Sequence, residues 1–318
     1  MLRLFFSTLS LFLVLSQLAL ASIEDTLITF PLESNELLST KNIRQPEERE
    51  LGGIWMPVNA LLFKPLIADP RQVNYTLGVR FTDSITSNHS VAVALGDELP
   101  LFLWHGIRNW EGDFQLAIAA GAWSILDFDS QADDYVALVN TDFFIGFPLT
   151  YASKNWAYRL RLYHISSHLG DEFLVANPGV ERTNPSVEVL DFMASHQLSE
   201  SFRIYGGLGY NLRSDASFHV HPLYAEYGVE VFAFGFNDLF NKLRWQPFFA
   251  MHLRHNEDHG WEANRNFRIG YEWSKLEPKS DHGRKTRLYL ELYDGYSLEG
   301  QFARERTTYF SLNIGMGY

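Results

Sequence analysis

Phe310-Ser311-Leu312-Asn313-Ile314-Gly315-Met316-Gly317-Tyr318 alternates large apolar side chains with small or polar ones at every step. In an extended strand, successive side chains point to opposite faces, so residues 310, 312, 314, 316 and 318 make one apolar face. Ser311, Asn313, Gly315 and Gly317 make the other, wet face. A surface helix would repeat its apolar residues at three and four, and this run does not.

The same rhythm recurs upstream. Trp261, Ala263, Phe267, Ile269, Tyr271 and Trp273 oppose Glu262, Asn264, Asn266, Arg268 and Glu272, while Leu288, Leu290 and Leu292 oppose Arg287, Tyr289 and Glu291. Strands are expected at about 73–83, 88–97, 112–124, 135–149, 155–169, 186–198, 201–213, 222–234, 245–255, 261–273, 285–296 and 307–318. Segment 99–105 is also apolar and leaves another count open. An even number of strands returns both ends of the chain to one side of a closed barrel. A soluble sandwich also alternates, but strands this long with charges in register along one face and aromatics at their ends fit a membrane barrel better. The expected fold is all-β: an antiparallel transmembrane β-barrel of 12 strands with an N-terminal extension.

Arg3 followed by the mostly apolar Leu4–Leu20 and by Ala19-Leu20-Ala21 reads as a cleavable signal peptide over 1–21. Residues 22–71, with several prolines and the run Glu47-Glu48-Arg49-Glu50, lack the alternation and read as a periplasmic or plugging extension. The barrel then occupies 72–318. After the signal no apolar run is long enough for a helical span, so a membrane protein of this kind must be a closed barrel. The chain has no cysteine, which excludes disulfides and thiolate chemistry. A net charge of −12 argues against a nucleic-acid partner. Export and a barrel together place the protein in the bacterial outer membrane, with outer-membrane lipids around it and the barrel assembly machinery as a partner in biogenesis. The closing aromatic strand resembles the signal that this machinery reads.

Strand parity assigns Arg80, Arg159, Arg161, Arg203, Arg213, Arg254, Arg268 and Arg287 to the interior, facing Asp142, Glu226, Glu230, Glu262, Glu272 and Glu291. Twelve strands enclose less room than a wide porin, so a narrow or plugged lumen is expected.

One segment looks chemical: Tyr163-His164-Ile165-Ser166-Ser167-His168-Leu169-Gly170-Asp171-Glu172. His164 and Ser166 are two apart, which sets imidazole and hydroxyl on one face of a strand. They share parity with Trp156, Tyr158, Leu160 and Leu162, hence the lipid-facing wall. Glu188 falls on the same wall of the next strand and is the candidate acid behind the imidazole, giving a nucleophile, a base and an orienting group. Asp171 and Glu172 are alternatives, or ligands for a hard cation. The plainer reading is also open, since histidine and serine sit comfortably in the headgroup zone of a barrel with no catalytic task. His219-Val220-His221 and His255 with His259 have metal-like spacing, but read as loop histidines. Gly206, Gly207 and Gly209 lie within a strand, not between strand and helix, so no nucleotide loop is read there.

The run His164–Glu172 resembles an outer-membrane family known only as a domain of unknown function, marked by H-x-S-S-H-x-G-D-E. Phe63-Lys64-Pro65-Leu66-Ile67-Ala68-Asp69-Pro70 and Tyr205-Gly206-Gly207 extend that resemblance. The His164–Ser166 pair is also similar to that of outer-membrane phospholipase A and lipid A deacylase barrels. This second resemblance implies a lipid ester hydrolase, with Ca2+ as a cofactor such an enzyme could use. The spacing to Glu188 is longer than in the phospholipases, and their asparagine has no counterpart here. Three functions follow: an envelope barrel without catalysis, an outer-leaflet esterase or deacylase built on His164 and Ser166, and a narrow solute channel.

Overall fold

The computed structural model describes residues 53–57, 61–86, 89–107, 111–128, 136–237, 243–275 and 284–317. All of these belong to the compact unit Glu50–Tyr318. The expected signal peptide, most of the expected extension, and Tyr318 lie outside the described residues.

The strands are β1 (Gly53–Trp55), β2 (Tyr75–Phe81), β3 (His89–His105), β4 (Asp113–Asp127), β5 (Ala137–Ser153), β6 (Trp156–Leu169) and β7 (Ser186–Ser199). They continue as β8 (Phe202–Ser214), β9 (Leu223–Phe232), β10 (Phe236–Asn237), β11 (Leu243–Asn256), β12 (Ala263–Lys275), β13 (Lys285–Tyr296) and β14 (Arg306–Gly317). Each long strand pairs antiparallel with its neighbours, and β14 returns to β2 with Phe310 opposite Phe81, so twelve strands close the cylinder. Closure leaves no unpaired edge. The short β1 and β10 pair with β3 and β11 outside the ring. The apolar segment 99–105 is the continuation of β3 beyond a bulge at Pro100/Phe102, not a separate strand.

Alternation holds around the wall. Phe310, Leu312, Ile314 and Met316 are exposed on the outside, while Ser311 and Asn313 are buried inside. Near the rim where Tyr75 begins and Gly317 ends, rings meet from neighbouring strands: Trp156 on His196 at 4.1 Å, Phe114 on Tyr151 at 4.7 Å, and Trp245 on Trp273 at 5.0 Å. Such a band of aromatics suits a membrane interface.

The interior is polar and filled. Arg203 donates to Lys64 O (2.7 Å), Pro65 O (3.1 Å) and Glu230 (3.1 Å), and the Ile67 N–H donates to the same carboxylate (2.7 Å). Arg268 donates to Ile67 O at 2.6 Å and Asn266 to Ala68 O at 2.9 Å. The described end of the expected extension, from Leu61 on, therefore runs among inward-facing side chains, and these satisfy its backbone. From the opposite rim the segment 297–303 also turns inward. Arg71 bonds both Asp142 and Leu298 O, and Arg80 holds Glu299 at 2.9 Å. Gly209 permits a close approach, because a Cβ there would lie 1.9 Å from the ring of Tyr224, its partner on the adjacent strand, which lies along the inner wall toward Asp191.

Most of the expected interior charges are buried, among them Arg80, Arg159, Arg161, Arg203, Arg268, Asp142, Glu226, Glu230, Glu272 and Glu291. Two are not. Glu262 precedes β12, stays exposed and pairs with Arg306 at the rim. Arg213 lies outside because β7 and β8 slip by one residue between Glu188 and Val189: Val189 faces Asn211, Glu188 faces Arg213, and Leu212 is extra. A bulge of this kind re-aims the side chains beyond it.

Candidate active site

β6 carries the segment that the sequence singled out. Its inward residues Tyr163 and Ile165 pack with Phe144, Val189 and Tyr224, which fixes the strand from inside. That packing leaves Leu160 and Leu162 exposed outside, with His164, Ser166 and His168 following on the same face. The expected wall for the His164–Ser166 pair is the observed one.

The register brings Glu188 directly opposite His164, and Ser186 opposite Ser166. Glu188 Oε1 lies 3.5 Å from His164 Nδ1, while its other oxygen accepts from Arg213 Nε at 3.0 Å. A carboxylate on Nδ1 favours the tautomer with its proton there and leaves Nε2 as the basic nitrogen. His164 and Glu188 are both about a third exposed, so they are open on the outer wall yet fixed by their strands. Among the described residues no hydrogen bond joins His164 to Ser166. The structure thus brings His164 and Glu188 together and sets Ser166 two residues from the histidine on the same face.

The adjacent hydroxyl behaves differently. Ser167 points inward, donates to Asn140 Oδ1 (2.9 Å), and accepts from the Gln301 N–H (3.1 Å). Asn140 in turn donates to Asp142 at 2.8 Å. Ser167 pins the 297–303 segment to the wall. Asp191, directly inside the same sheet and absent from the sequence expectation, pairs with Arg161 and accepts from the Tyr224 hydroxyl at 3.3 Å. Its parity between Leu190 and Phe192 was the available signal. No comparable signal marks Arg213, because a bulge depends on pairing and not on local alternation.

Asp171 and Glu172 occupy the first turn of a short helix, Asp171–Ala176, and are exposed. Among the described residues no three His, Asp or Glu side chains gather as metal ligands. Of the histidines expected in loops, His255 instead lies within β11; His259 stacks on Tyr296 at 3.6 Å and bonds Ala303 O, and burial pushes its imidazole below the ordinary value. His255 bonds Trp261 O at 2.8 Å and Tyr227 at 3.3 Å.

Among solved structures the barrel is similar to the outer membrane phospholipase (OMPLA) of Salmonella typhi, a dimer with bound calcium. That pair shares 12% identity at a TM-score of 0.52, over 78% of this chain and 93% of the other. An active-site mutant of outer membrane phospholipase A from Escherichia coli gives 12% identity and 0.53, over 81% and 95%. LpxR from Salmonella typhimurium is less similar, with 12% identity and a TM-score of 0.38 over 77% and 100%. At such identities the likeness is one of fold, that of outer-membrane barrels. No curated relative matches the chain by sequence. Residues 31–318 match the family described as protein of unknown function (DUF1207), and the chain belongs to that family.

Proposed function

We propose that this protein lies in the bacterial outer membrane and hydrolyses lipid esters on the outside of its barrel, with Ser166 as nucleophile, His164 as base and Glu188 as orienting acid. The observation that carries the reading is the 3.5 Å approach of Glu188 to His164 Nδ1, on the outer wall that also bears Ser166. With the rim that holds Tyr75 and Gly317 on the periplasmic side, these residues stand toward the outer leaflet, where lipid esters lie. The surrounding lipids are then the substrate pool.

In this scheme Ser166 Oγ attacks the acyl carbonyl as its proton passes to His164 Nε2. Glu188 stabilises the imidazolium through Nδ1. When the tetrahedral adduct collapses, the same proton goes to the departing alcohol, and the acyl group stays on Ser166. A water molecule, deprotonated by Nε2, then releases the fatty acid and restores the serine. Every step uses groups on one wall. Calcium enters no step; its role is tested by chelation.

A solute channel has less support, because residues 61–73 and 297–303 occupy the lumen.

The test is fatty-acid release from phospholipid or lipid A by the purified, folded barrel. Release by the natural protein and none by Ser166→Ala, with equal heat-resistant folding, supports the reading. Equal release by both, or none by either in the presence or absence of calcium, rejects it.

A further inference from the structure

Arg213 has no function in an interior ion network, since the bulge at Leu212 has carried it to the outer wall. There its side chain is 78% exposed, next to a carboxylate that faces His164. Only Nε is committed, to Glu188. Neither terminal amino group has a hydrogen-bond partner among the described residues. Asp215, two positions on, feels the same charge, but its carboxylate is engaged by Ser217 and Asn184.

Arg213 is the last residue but one of β8, where the strand reaches the headgroup zone and an arginine on the lipid face costs little, and its two uncommitted amino groups are open to acceptors that a lipid headgroup supplies. A guanidinium matches a phosphate through two parallel N–H donors. Adjacent strands are about 4.8 Å apart, so β8 stands roughly 10 Å from β6 along the wall. One lipid can span that width, with its ester at Ser166 and its polar end toward β8. The long side chain can also lean toward the headgroup zone.

We propose that Arg213 is a phosphate subsite for the substrate lipid; the inference rests on the hydrolase reading and adds to it a preference for phosphate-bearing lipids. Glu188 then has two tasks, orienting His164 with one oxygen and steadying Arg213 with the other. The phosphate is either the diester of a glycerophospholipid or the monoester of a lipid A disaccharide.

The test compares the natural protein with Arg213→Gln, in neutral detergent micelles, on phosphatidylglycerol, uncharged diacylglycerol, lipid A, and lipid A stripped of phosphate. A charge-assisted contact to phosphate amounts to a factor of about ten or more. Arg213→Gln is therefore expected to raise KM for a phosphate lipid about tenfold relative to KM for its uncharged counterpart. The lipid pair that shows this ratio identifies the source of the phosphate. An equal fall in kcat on all four substrates, with the KM ratios unchanged, makes Arg213 only a support for Glu188 and overturns the subsite. If the natural protein hydrolyses nothing, the hydrolase reading fails by itself. The subsite is then decided by retention of phosphatidylglycerol in native mass spectrometry: loss in Arg213→Gln sustains it, and equal retention overturns it.

Discussion

Ser166 and Ser167 are neighbours on one strand and have opposite fates. Ser167 is buried, and its hydroxyl is spent on Asn140 and Gln301. Ser166 faces outward beside a half-exposed histidine whose single polar contact among the described residues is with Glu188. On the inward face of β6, Arg161, Tyr163 and Ser167 have the marks of stability: burial, with Arg161 matched to Asp191 and the two hydroxyls engaged by Tyr224, Asn140 and Gln301. The outward face has polar groups that its own fold does not use, on a wall otherwise apolar. A polar group that structure leaves unspent is where chemistry should be sought.

Exchanging alanine for each serine breaks that contrast most directly. Ser166→Ala is expected to reduce lipid hydrolysis to background while the barrel remains as heat-resistant as before. Glu188→Ala should lower kcat by on the order of 10^4-fold, the scale on which an orienting acid acts. Fatty-acid release measures both.

On the inward face the loss should be in stability alone. Asp191→Asn leaves Arg161 buried without its countercharge, at a cost of about 3–5 kcal/mol in urea unfolding. Ser167→Ala should cost about 1–3 kcal/mol and free residues 297–303 to exchange faster, with hydrolysis retained.

The smallest effect depends on pH. Burial opposes the charge on Glu299, but Arg80, then Arg71 and the Ser297 hydroxyl, hold its carboxyl below the usual range. A lowered folded value means the stabilisation is complete above the unfolded pKa, about 4.3, and is lost as pH falls through the folded one. Hydrogen exchange at 297–303 should therefore rise only on acidification below about pH 4, and Glu299→Gln should remove that dependence.

Much of this was legible in the chain. Period-two alternation located twelve strands and their faces, because each side chain's choice of lipid or lumen is made locally. His164, Ser166 and Glu188 could be assigned to one wall for the same reason. Arg213 could not be, since one extra residue in a paired strand reverses parity without changing the local pattern. The filling of the lumen was also hidden. Residues 61–73 are held by backbone carbonyls and amides meeting Arg203, Glu230 and Arg268 across more than a hundred positions. Such contacts leave no periodicity to read.

Reaction of the folded barrel in detergent with a long-chain alkyl sulfonyl fluoride, followed by peptide mapping, reports on the nucleophile itself. The expected product is a single adduct on Ser166, lost in His164→Ala and retained in Ser167→Ala. An adduct on Ser167 or on a lumen residue, or an unmodified Ser166 in a barrel that still releases fatty acid, contradicts a catalytic serine on the outer wall.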